Sequence, residues 1–223
     1  MKKIFLSLVL AGLGINISAQ KSIDQKVTEL MAKMTLEEKI GQLNQYNDDI
    51  TATGPITKDA DKAGQVRAGK LGSILNAIGA KNTKNWQDQA MQSRLKIPLL
   101  FGQDVIHGFR TTFPIPLGET ATWDMNLIEK SARIAATEAS AYGIHWTFAP
   151  MVDIGRDPRW GRVMEGAGED TYLGTLVGKA RVKGFQGNGL GNKDAVMACA
   201  KHFAAYGAAV GGRDYNSVDM SLR

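Results

Sequence analysis

The sequence has 223 residues, with 27 basic and 22 acidic side chains, a formal net charge of +5 and 43% hydrophobic residues. This length and apolar content are sufficient for one domain with a substantial core, or for two small domains. The basic residues are scattered and form no long cluster, so no nucleic-acid partner is expected. Cys199 is the only cysteine, which excludes an intramolecular disulfide, and its apolar neighbours favour a buried, unreactive thiol.

The first residues have the pattern of a secretory signal peptide. Two lysines precede an apolar stretch over residues 4–17, and Ala19 then offers a small-residue cleavage site. The stretch is too short for a stable membrane span, and it lacks the amphipathic pattern of a helix packed on a protein core. The sequence therefore predicts a signal peptide at residues 1–19, a mature domain over residues 20–223, and an exported protein, periplasmic or secreted, without a membrane span after cleavage.

Two helices and a loop are predicted next. Apolar residues recur at helical spacing over residues 23–34, which predicts the first helix. Thr35 followed by Glu38 has the spacing of a capping box and predicts the start of a second helix. Residues 44–62 are mostly polar, which predicts a loop.

Apolar strands then alternate with helices along the rest of the chain. Strands are predicted over "GSILNAI", "IPLLFGQDV", "IHWTFAPMVDI" and "AVMACAKHF". Helices are predicted over "TKNWQDQAMQSRL", "NLIEKSARIAATEASAYG" and "TYLGTLVGKARVKGF". The alternation is typical of parallel βα units in which helices cover both faces of the sheet.

The last three predicted strands end in polar residues: Asp104, Asp153, and the pair Lys201 and His202. Active sites lie at the carboxyl ends of the strands in a (β/α)₈ barrel, but a doubly wound sheet also binds ligands there. A full barrel needs about 250 residues. With four predicted strands, this α/β chain resembles half a barrel.

The motifs at these strand ends allow more than one interpretation. Asp104 and His107 in "GQDVIHG" have no helix to bring them together as metal ligands, and His107 could simply satisfy backbone groups in a loop. Lys201 follows an apolar strand, so its ammonium must reach a carboxylate or a polar ligand. A salt bridge to Asp153 or Asp104 is the structural alternative to a binding role.

The loop "RDPRWGRVMEGAGED", residues 156–170, collects three arginines and four carboxylates around Trp160. Carboxylates accept hydrogen bonds from sugar hydroxyls, and arginine and lysine donate to sugar oxygens, so the loop suits a polyhydroxylated ligand. The alternative is a salt-bridged loop that only braces the strand ends. Trp160 could stack on a sugar, although tryptophans are usually buried, so packing beneath the loop is the preferred interpretation.

Five motifs in this order resemble the family 3 glycoside hydrolases, in the branch of exported bacterial β-glucosidases: "GQDVIHG", "TTFPIPLG", "APMVDIGRDPRWGRVMEGAGED", "KHFAAYG" and "GRDYNSVDMS". The resemblance runs from about Val27 to Arg223. It implies that residues 20–223 form the N-terminal portion of a (β/α)₈ TIM-type barrel, ending after about four strands. The "KHFAAYG" segment fits the glucosidase branch better than the N-acetylglucosaminidase branch, which is similar to Lys-His-Phe-Pro-Gly followed by a His-Asp dyad.

The resemblance also implies a set of substrate-binding residues. Asp104, Arg162, Lys201 and His202 match the family residues that hold the hydroxyls of the terminal sugar, and Arg213 lies in a loop that borders the same pocket. The implied activity is exo-acting, retaining hydrolysis of terminal β-D-glucosyl residues from a β-glucoside or oligosaccharide, with no cofactor and no metal.

The family nucleophile, an aspartate in a Ser-Asp-Trp-like motif, and its acid/base glutamate have no match before Arg223. Both are therefore expected beyond that residue, and the chain alone is expected to be inactive. The alternatives are a non-catalytic sugar-binding protein and a doubly wound metal-dependent hydrolase.

Overall fold

The computed structural model describes residues 21–48 and 61–221. The predicted signal peptide therefore lies outside the described residues. The chain divides into two compact units, Met1–Thr35 and Leu36–Arg223. None of the helices in the described residues has both the length and the apolar character that crossing a bilayer requires.

The first unit contains helix α1 (Ile23–Lys33), which the sequence predicted. The Ser22 side chain accepts a hydrogen bond from the backbone amide of Gln25, and the Gln25 side chain accepts one from the amide of Ser22. This reciprocal capping box satisfies amide groups that a helix start otherwise leaves without partners. The helix ends because the next residue, Met34, has extended backbone angles.

The second unit is built on four parallel strands: β1 (Gln45–Asn47), β2 (Ser73–Leu75), β3 (Leu100–Gln103) and β4 (Trp146–Thr147). They pair in the order β1-β2-β3-β4, so neighbours in the chain are neighbours in the sheet. A doubly wound sheet reverses its strand order near the middle, whereas a (β/α) barrel does not. The observed order therefore favours the barrel, which the sequence pattern alone did not separate from the doubly wound sheet.

The helices of this unit are α2 (Leu36–Gly41), α3 (Lys62–Arg67), α4 (Ala80–Ala90), α5 (Pro116–Thr120), α6 (Met125–Ala141) and α7 (Thr171–Gln186). The longest two, α6 and α7, begin and end within two residues of their predicted bounds. Each begins after an aspartate, Asp124 or Asp170, whose carboxylate accepts backbone amide hydrogen bonds. Short 3₁₀ helices at Val163–Glu165, Tyr206–Ala208 and Val210–Gly212 complete the unit.

Side chains of register partners lie on the same face of the sheet, and one of the two faces is covered by helices. Tyr46, Ile74 and Phe101 are register partners on adjacent strands, and all three belong to or pack against the main core. The same core contains alanines of α6, which allow the helix to lie close to the sheet. On the opposite face, Gln45 donates a hydrogen bond to Ser73, which is its own register partner.

The prediction of a loop over residues 44–62 is wrong at both ends of that segment. Gln45–Asn47 forms β1, and α3 begins at Lys62. The strand was not predicted because Gln45 and Asn47 are polar, and only Tyr46 between them faces the main core. The middle of this segment, residues 49–60, lies outside the described residues.

The segment "AVMACAKHF" is less regular than the predicted strand. It makes isolated parallel bridges, Met197 with Trp146 and Lys201 with Met151, and forms no continuous strand. Backbone hydrogen bonds nevertheless follow this edge, for example from the amide of Cys199 to the carbonyl of Ala149. The facing segment contains Pro150, which has no amide hydrogen to donate, so a regular ladder is interrupted there. Cys199 itself is half-buried, so the expectation of a fully buried thiol was wrong.

Helices α6 and α7 pack closely at Gly184. A Cβ atom at this position would overlap the carbonyl oxygen of Glu129 and lie 2.6 Å from the Cβ atom of Ala132. We expect Gly184→Ala to lower the free energy of unfolding by about 1–3 kcal/mol, although alanine is intrinsically better in a helix by about 1 kcal/mol. Urea denaturation measures the change.

Gly174→Ala, in the same helix, is the matched control. Its added Cβ atom would meet only side chains at ordinary contact distance, the nearest being the Cδ1 atom of Ile154 at 3.4 Å. The control should leave the unfolding free energy unchanged or raise it. Equal effects of the two substitutions would contradict close packing as the reason for Gly184.

Candidate active site

The structure pairs Lys201 with Asp104. Asp104 directly follows β3, and Lys201 lies beside Met151 in one of the parallel bridges. The Lys201 Nζ atom is 3.4 Å from Asp104 Oδ1, and the lysine side chain is 16% exposed while the aspartate is 43% exposed. The sequence analysis left open whether Lys201 reaches a polar ligand or a carboxylate, Asp153 or Asp104, and the structure pairs it with Asp104. Much of the aspartate remains open to a ligand.

His202 is held by a buried carboxylate. Its Nδ1 atom lies 2.8 Å from Oδ2 of Asp153, whose side chain is only 1% exposed. A carboxylate accepts hydrogen bonds, so Nδ1 carries the proton and donates. This arrangement fixes the orientation of the imidazole and leaves Nε2 as the ring nitrogen that a ligand can use.

Arg162 is clamped by Glu165, three residues further along the same loop. The guanidinium donates from Nε to Oε1 at 2.7 Å and from Nη2 to Oε2 at 2.8 Å. This two-bond geometry is the strongest common form of an arginine–carboxylate contact. The hydrogen bonds raise the pKa of Arg162 and hold the pKa of Glu165 below its usual range. Both groups are therefore charged at neutral pH.

Tyr206 lies at the centre of the cluster. Its ring packs edge-on against His202, with 4.8 Å between ring centroids, and edge-on against Trp160 at 5.1 Å. The guanidinium carbon of Arg162 lies 5.5 Å from the ring centroid. Burial raises the pKa of the Tyr206 phenol to about 12, so the hydroxyl keeps its proton at neutral pH.

Trp160 packs beneath the loop, as the sequence analysis preferred. The side chain is 2% exposed, and its Nε1 atom donates a hydrogen bond to Oδ1 of Asp214 at 2.9 Å. The loop therefore closes over an aromatic core formed by Trp160 and Tyr206, and the tryptophan is not a sugar-stacking surface.

We expect Trp160→Phe to reduce stability more than it changes ligand binding. The smaller ring leaves a cavity in a buried position and removes the donor to Asp214, which together should cost about 2–4 kcal/mol. Thermal unfolding monitors stability, and inhibition by a sugar analogue monitors the site. A large loss of affinity with an unchanged Tm would contradict this packing role.

Two other residues singled out from the sequence lie apart from the cluster. His107 donates through Nδ1 to the backbone carbonyl of Phe113 at 2.9 Å, which favours the loop-brace interpretation. Arg213 is exposed, and within residues 61–221 its guanidinium has no hydrogen-bond or ion-pair partner. The structure pairs Lys201 with Asp104 and brings Arg162 and His202 to the same tyrosine, Tyr206, whereas among the described residues no side-chain contact joins Arg213 to any of the four.

The sequence analysis missed the roles of Glu165, Tyr206 and Asp214. Glu165 was visible as one of several carboxylates in the loop, and its three-residue spacing from Arg162 is the only signal that it could be the arginine's partner. Tyr206 and Asp214 carry no spacing signal, because their contacts depend on how the segment after Lys201 turns back over the loop.

The arrangement can bind a polyhydroxylated ligand. Within one cluster it offers an exposed carboxylate, an ammonium, a guanidinium and an imidazole nitrogen, and hydroxyl groups can both donate and accept hydrogen bonds. Among residues 21–48 and 61–221, no three histidine, cysteine or acidic side chains converge as a metal-ligand set.

Known proteins are similar to this chain over most of its length. Residues 35–223 match the Glycosyl hydrolase family 3 N terminal domain. The periplasmic beta-glucosidase of Salmonella typhimurium is 46% identical over 199 residues, which cover 89% of this chain and 25% of that protein. The lysosomal beta glucosidase of Dictyostelium discoideum is 33% identical, with 89% of this chain and 28% of that protein covered.

A solved β-glucosidase from Listeria innocua, in complex with isofagomine, superimposes with a TM-score of 0.81 and 44% identity. The match covers 89% of this chain and 28% of the Listeria chain. The chain thus spans about a quarter of the length of these relatives. Together with the parallel, unreversed sheet, the match confirms the predicted TIM-barrel type of α/β fold. The chain belongs to glycosyl hydrolase family 3, and residues 35–223 match the N-terminal domain of that family.

Proposed function

We propose that this chain supplies the sugar-binding part of a β-glucosidase that removes terminal β-D-glucosyl residues with retention of configuration. The observation that carries the proposal is a cluster of three side-chain pairs, Lys201–Asp104, Arg162–Glu165 and His202–Asp153, the last two of which contact Tyr206. Each of the proposed sugar ligands Asp104, Arg162, Lys201 and His202 belongs to one of these pairs. The names of the relatives support the substrate class.

Each residue has a role that follows from its atoms. Asp104 is the most exposed carboxylate of the three pairs and accepts hydrogen bonds from sugar hydroxyls. Lys201 and Arg162 donate charge-assisted hydrogen bonds to sugar oxygens. His202 accepts or donates through Nε2, because Asp153 occupies Nδ1. Arg213 borders the same pocket and would have to turn inwards from its exposed position to reach the sugar.

The bond-breaking groups are proposed to lie outside this chain. Retaining hydrolysis uses two carboxyl groups about 5–5.5 Å apart, one to attack the anomeric carbon and one to protonate the leaving oxygen. In this cluster Asp104, Asp153 and Glu165 are each held by a cation or a histidine, which suits positioning better than nucleophilic attack. The family resemblance supports a nucleophile and an acid/base beyond Arg223.

Assays on the protein expressed from its complete gene test the activity. We expect hydrolysis of an aryl β-glucoside, and NMR should show the β-anomer of glucose as the first product. An aryl α-glucoside, which should not react, is the control. Binding of glucose without hydrolysis would instead support a non-catalytic sugar-binding protein, and release of the α-anomer first would overturn the retaining mechanism.

We expect the 223-residue chain, expressed alone, to hydrolyse no aryl β-glucoside above background, because positioning residues without a nucleophile and an acid lack both chemical steps. The rate is compared with that of the protein from the complete gene at equal molar concentration. Turnover by the isolated chain that Asp104→Ala abolishes would contradict the expectation and assign a catalytic role to a carboxylate of this domain.

We also propose that the protein is exported to the periplasm or secreted. The support is the signal-like N-terminal sequence together with the periplasmic beta-glucosidase of Salmonella typhimurium among the relatives.

A further inference from the structure

Tyr206 contacts two of the proposed sugar ligands at once. Its hydroxyl oxygen lies 3.4 Å from Nη1 of Arg162, and its ring lies edge-on against His202 with an interplanar angle of 84°. Its pairing with Trp160 anchors it to the buried part of the loop. None of the sugar-binding roles proposed above is assigned to Tyr206.

The direction of the hydrogen bonds at this hydroxyl can be worked out. A guanidinium has only donors, so the Tyr206 oxygen must accept from Arg162. The phenol proton therefore points away from the guanidinium. Asp214 accepts a hydrogen bond from Nε1 of Trp160, the ring against which Tyr206 packs.

Glu165 holds the Nε and Nη2 edge of the guanidinium, and Nη2 also contacts Sδ of Met151 at 3.3 Å. The remaining nitrogen, Nη1, is held by the Tyr206 hydroxyl, and the Tyr206 ring lies beside the guanidinium. His202 is similar: Asp153 holds one nitrogen, and the Tyr206 ring limits rotation of the imidazole about that hydrogen bond.

We propose that Tyr206 is a positioning residue of the sugar site, which sets Arg162 and His202 in the orientation that binds the sugar. The inference rests on the proposed function, because it assigns Tyr206 a role through two of the proposed sugar ligands. Tyr206 itself is not expected to touch the bond that breaks.

The test uses Tyr206→Phe and Tyr206→Leu in the protein expressed from its complete gene. The phenylalanine keeps the ring and removes the hydroxyl, whereas the leucine removes both contacts. We expect kcat/KM for an aryl β-glucoside to fall about three- to tenfold for Tyr206→Phe and about thirtyfold or more for Tyr206→Leu. The inhibition constant of isofagomine should rise in the same order, at a temperature well below the Tm of every variant.

Tyr142→Phe is the matched control. Tyr142 is also a half-buried tyrosine, and Arg110 lies over its ring at 5.4 Å, nearly the same distance as Arg162 over Tyr206. Its other ring contact is Phe109, and none of the proposed sugar ligands contacts it. We expect this substitution to leave kcat/KM and the inhibition constant unchanged, whatever it does to Tm.

The outcomes separate the inference from the proposed function. An active wild-type protein whose Tyr206→Phe and Tyr206→Leu variants keep the wild-type kcat/KM and inhibition constant would overturn the inference alone. Variants that lose only Tm would do the same, since they assign Tyr206 to packing. A wild-type protein that neither cleaves the glucoside nor binds isofagomine would overturn the proposed function, and with it the positioning role.

Discussion

Replacing Glu119 with alanine should lower the free energy of unfolding by about 3–5 kcal/mol, because it leaves a buried arginine without its counter-charge. Glu119 in α5 and Arg181 in α7 form an ion pair whose side chains are only 7% and 4% exposed. Burial lowers the pKa of Arg181, and the Glu119 carboxylate opposes that effect. Urea denaturation of the protein expressed from its complete gene measures the loss.

The buried pair also connects separate parts of the domain. Arg181 donates a second hydrogen bond, at 3.0 Å, to the backbone carbonyl of Ile106, which lies in the loop after β3 that begins with Asp104. Its Nε atom is buried and has no hydrogen-bond partner among the described residues. Arg181 of α7 therefore contacts both α5 and the loop after β3. Loss of its counter-charge should weaken the packing of all three segments.

Two variants separate the buried charge from ordinary surface effects. Glu129→Ala removes the exposed ion pair between α6 and Lys183 of α7, which should cost less than about 1 kcal/mol. The double variant Glu119→Leu with Arg181→Met replaces the buried charges by apolar groups and should recover most of the loss. If Glu119→Ala were no more damaging than Glu129→Ala, the buried pair would not be a main contributor to stability.

The helices that the sequence predicted well are those whose local signals agree. Helix α7 has an aspartate cap at Asp170 and a continuous apolar pattern, so both ends were predicted within one residue. The strands are short and carry less information. Strand β1 has a single core-facing residue, Tyr46, between two polar ones, so no local pattern indicates a strand.

The candidate site was predictable to the extent that it depends on strand order. Asp104 and Lys201 are 97 residues apart, yet the rule that parallel strands present their carboxyl ends at one edge brought them together. The contacts of Tyr206 and Asp214 follow no such rule. They depend on irregular segments after Lys201, where no repeating backbone geometry relates position in the chain to position in space.

The second large expected effect concerns the four proposed sugar ligands. We expect Asp104→Asn, Arg162→Ala, Lys201→Ala and His202→Ala each to lower kcat/KM at least about tenfold, which corresponds to about 1.4 kcal/mol or more of transition-state stabilisation. Hydroxyl contacts that strengthen as the sugar ring flattens towards an oxocarbenium ion act mainly on the transition state. Steady-state kinetics with an aryl β-glucoside provide the measurement.

Arg159→Ala is the matched control for Arg162→Ala. Arg159 lies three residues earlier in the same loop and also makes a two-bond contact with a carboxylate, that of Asp157, but its side chain is 74% exposed. It should have little effect on kcat/KM. His107→Ala should also cost less than any of the four ligand substitutions, because His107 braces a backbone carbonyl.

Kinetics and stability together distinguish a binding role from a bracing role. Arg162 and Lys201 are both ion-paired, so their removal also leaves Glu165 and Asp104 without a counter-charge, and some loss of Tm is expected in either case. A sugar ligand must also lower kcat/KM at temperatures far below the Tm of the variant. If Arg162→Ala and Lys201→Ala lowered Tm but kept near-wild-type kcat/KM, the ion pairs would only brace the strand ends, and the loop of residues 156–170 would have a structural role.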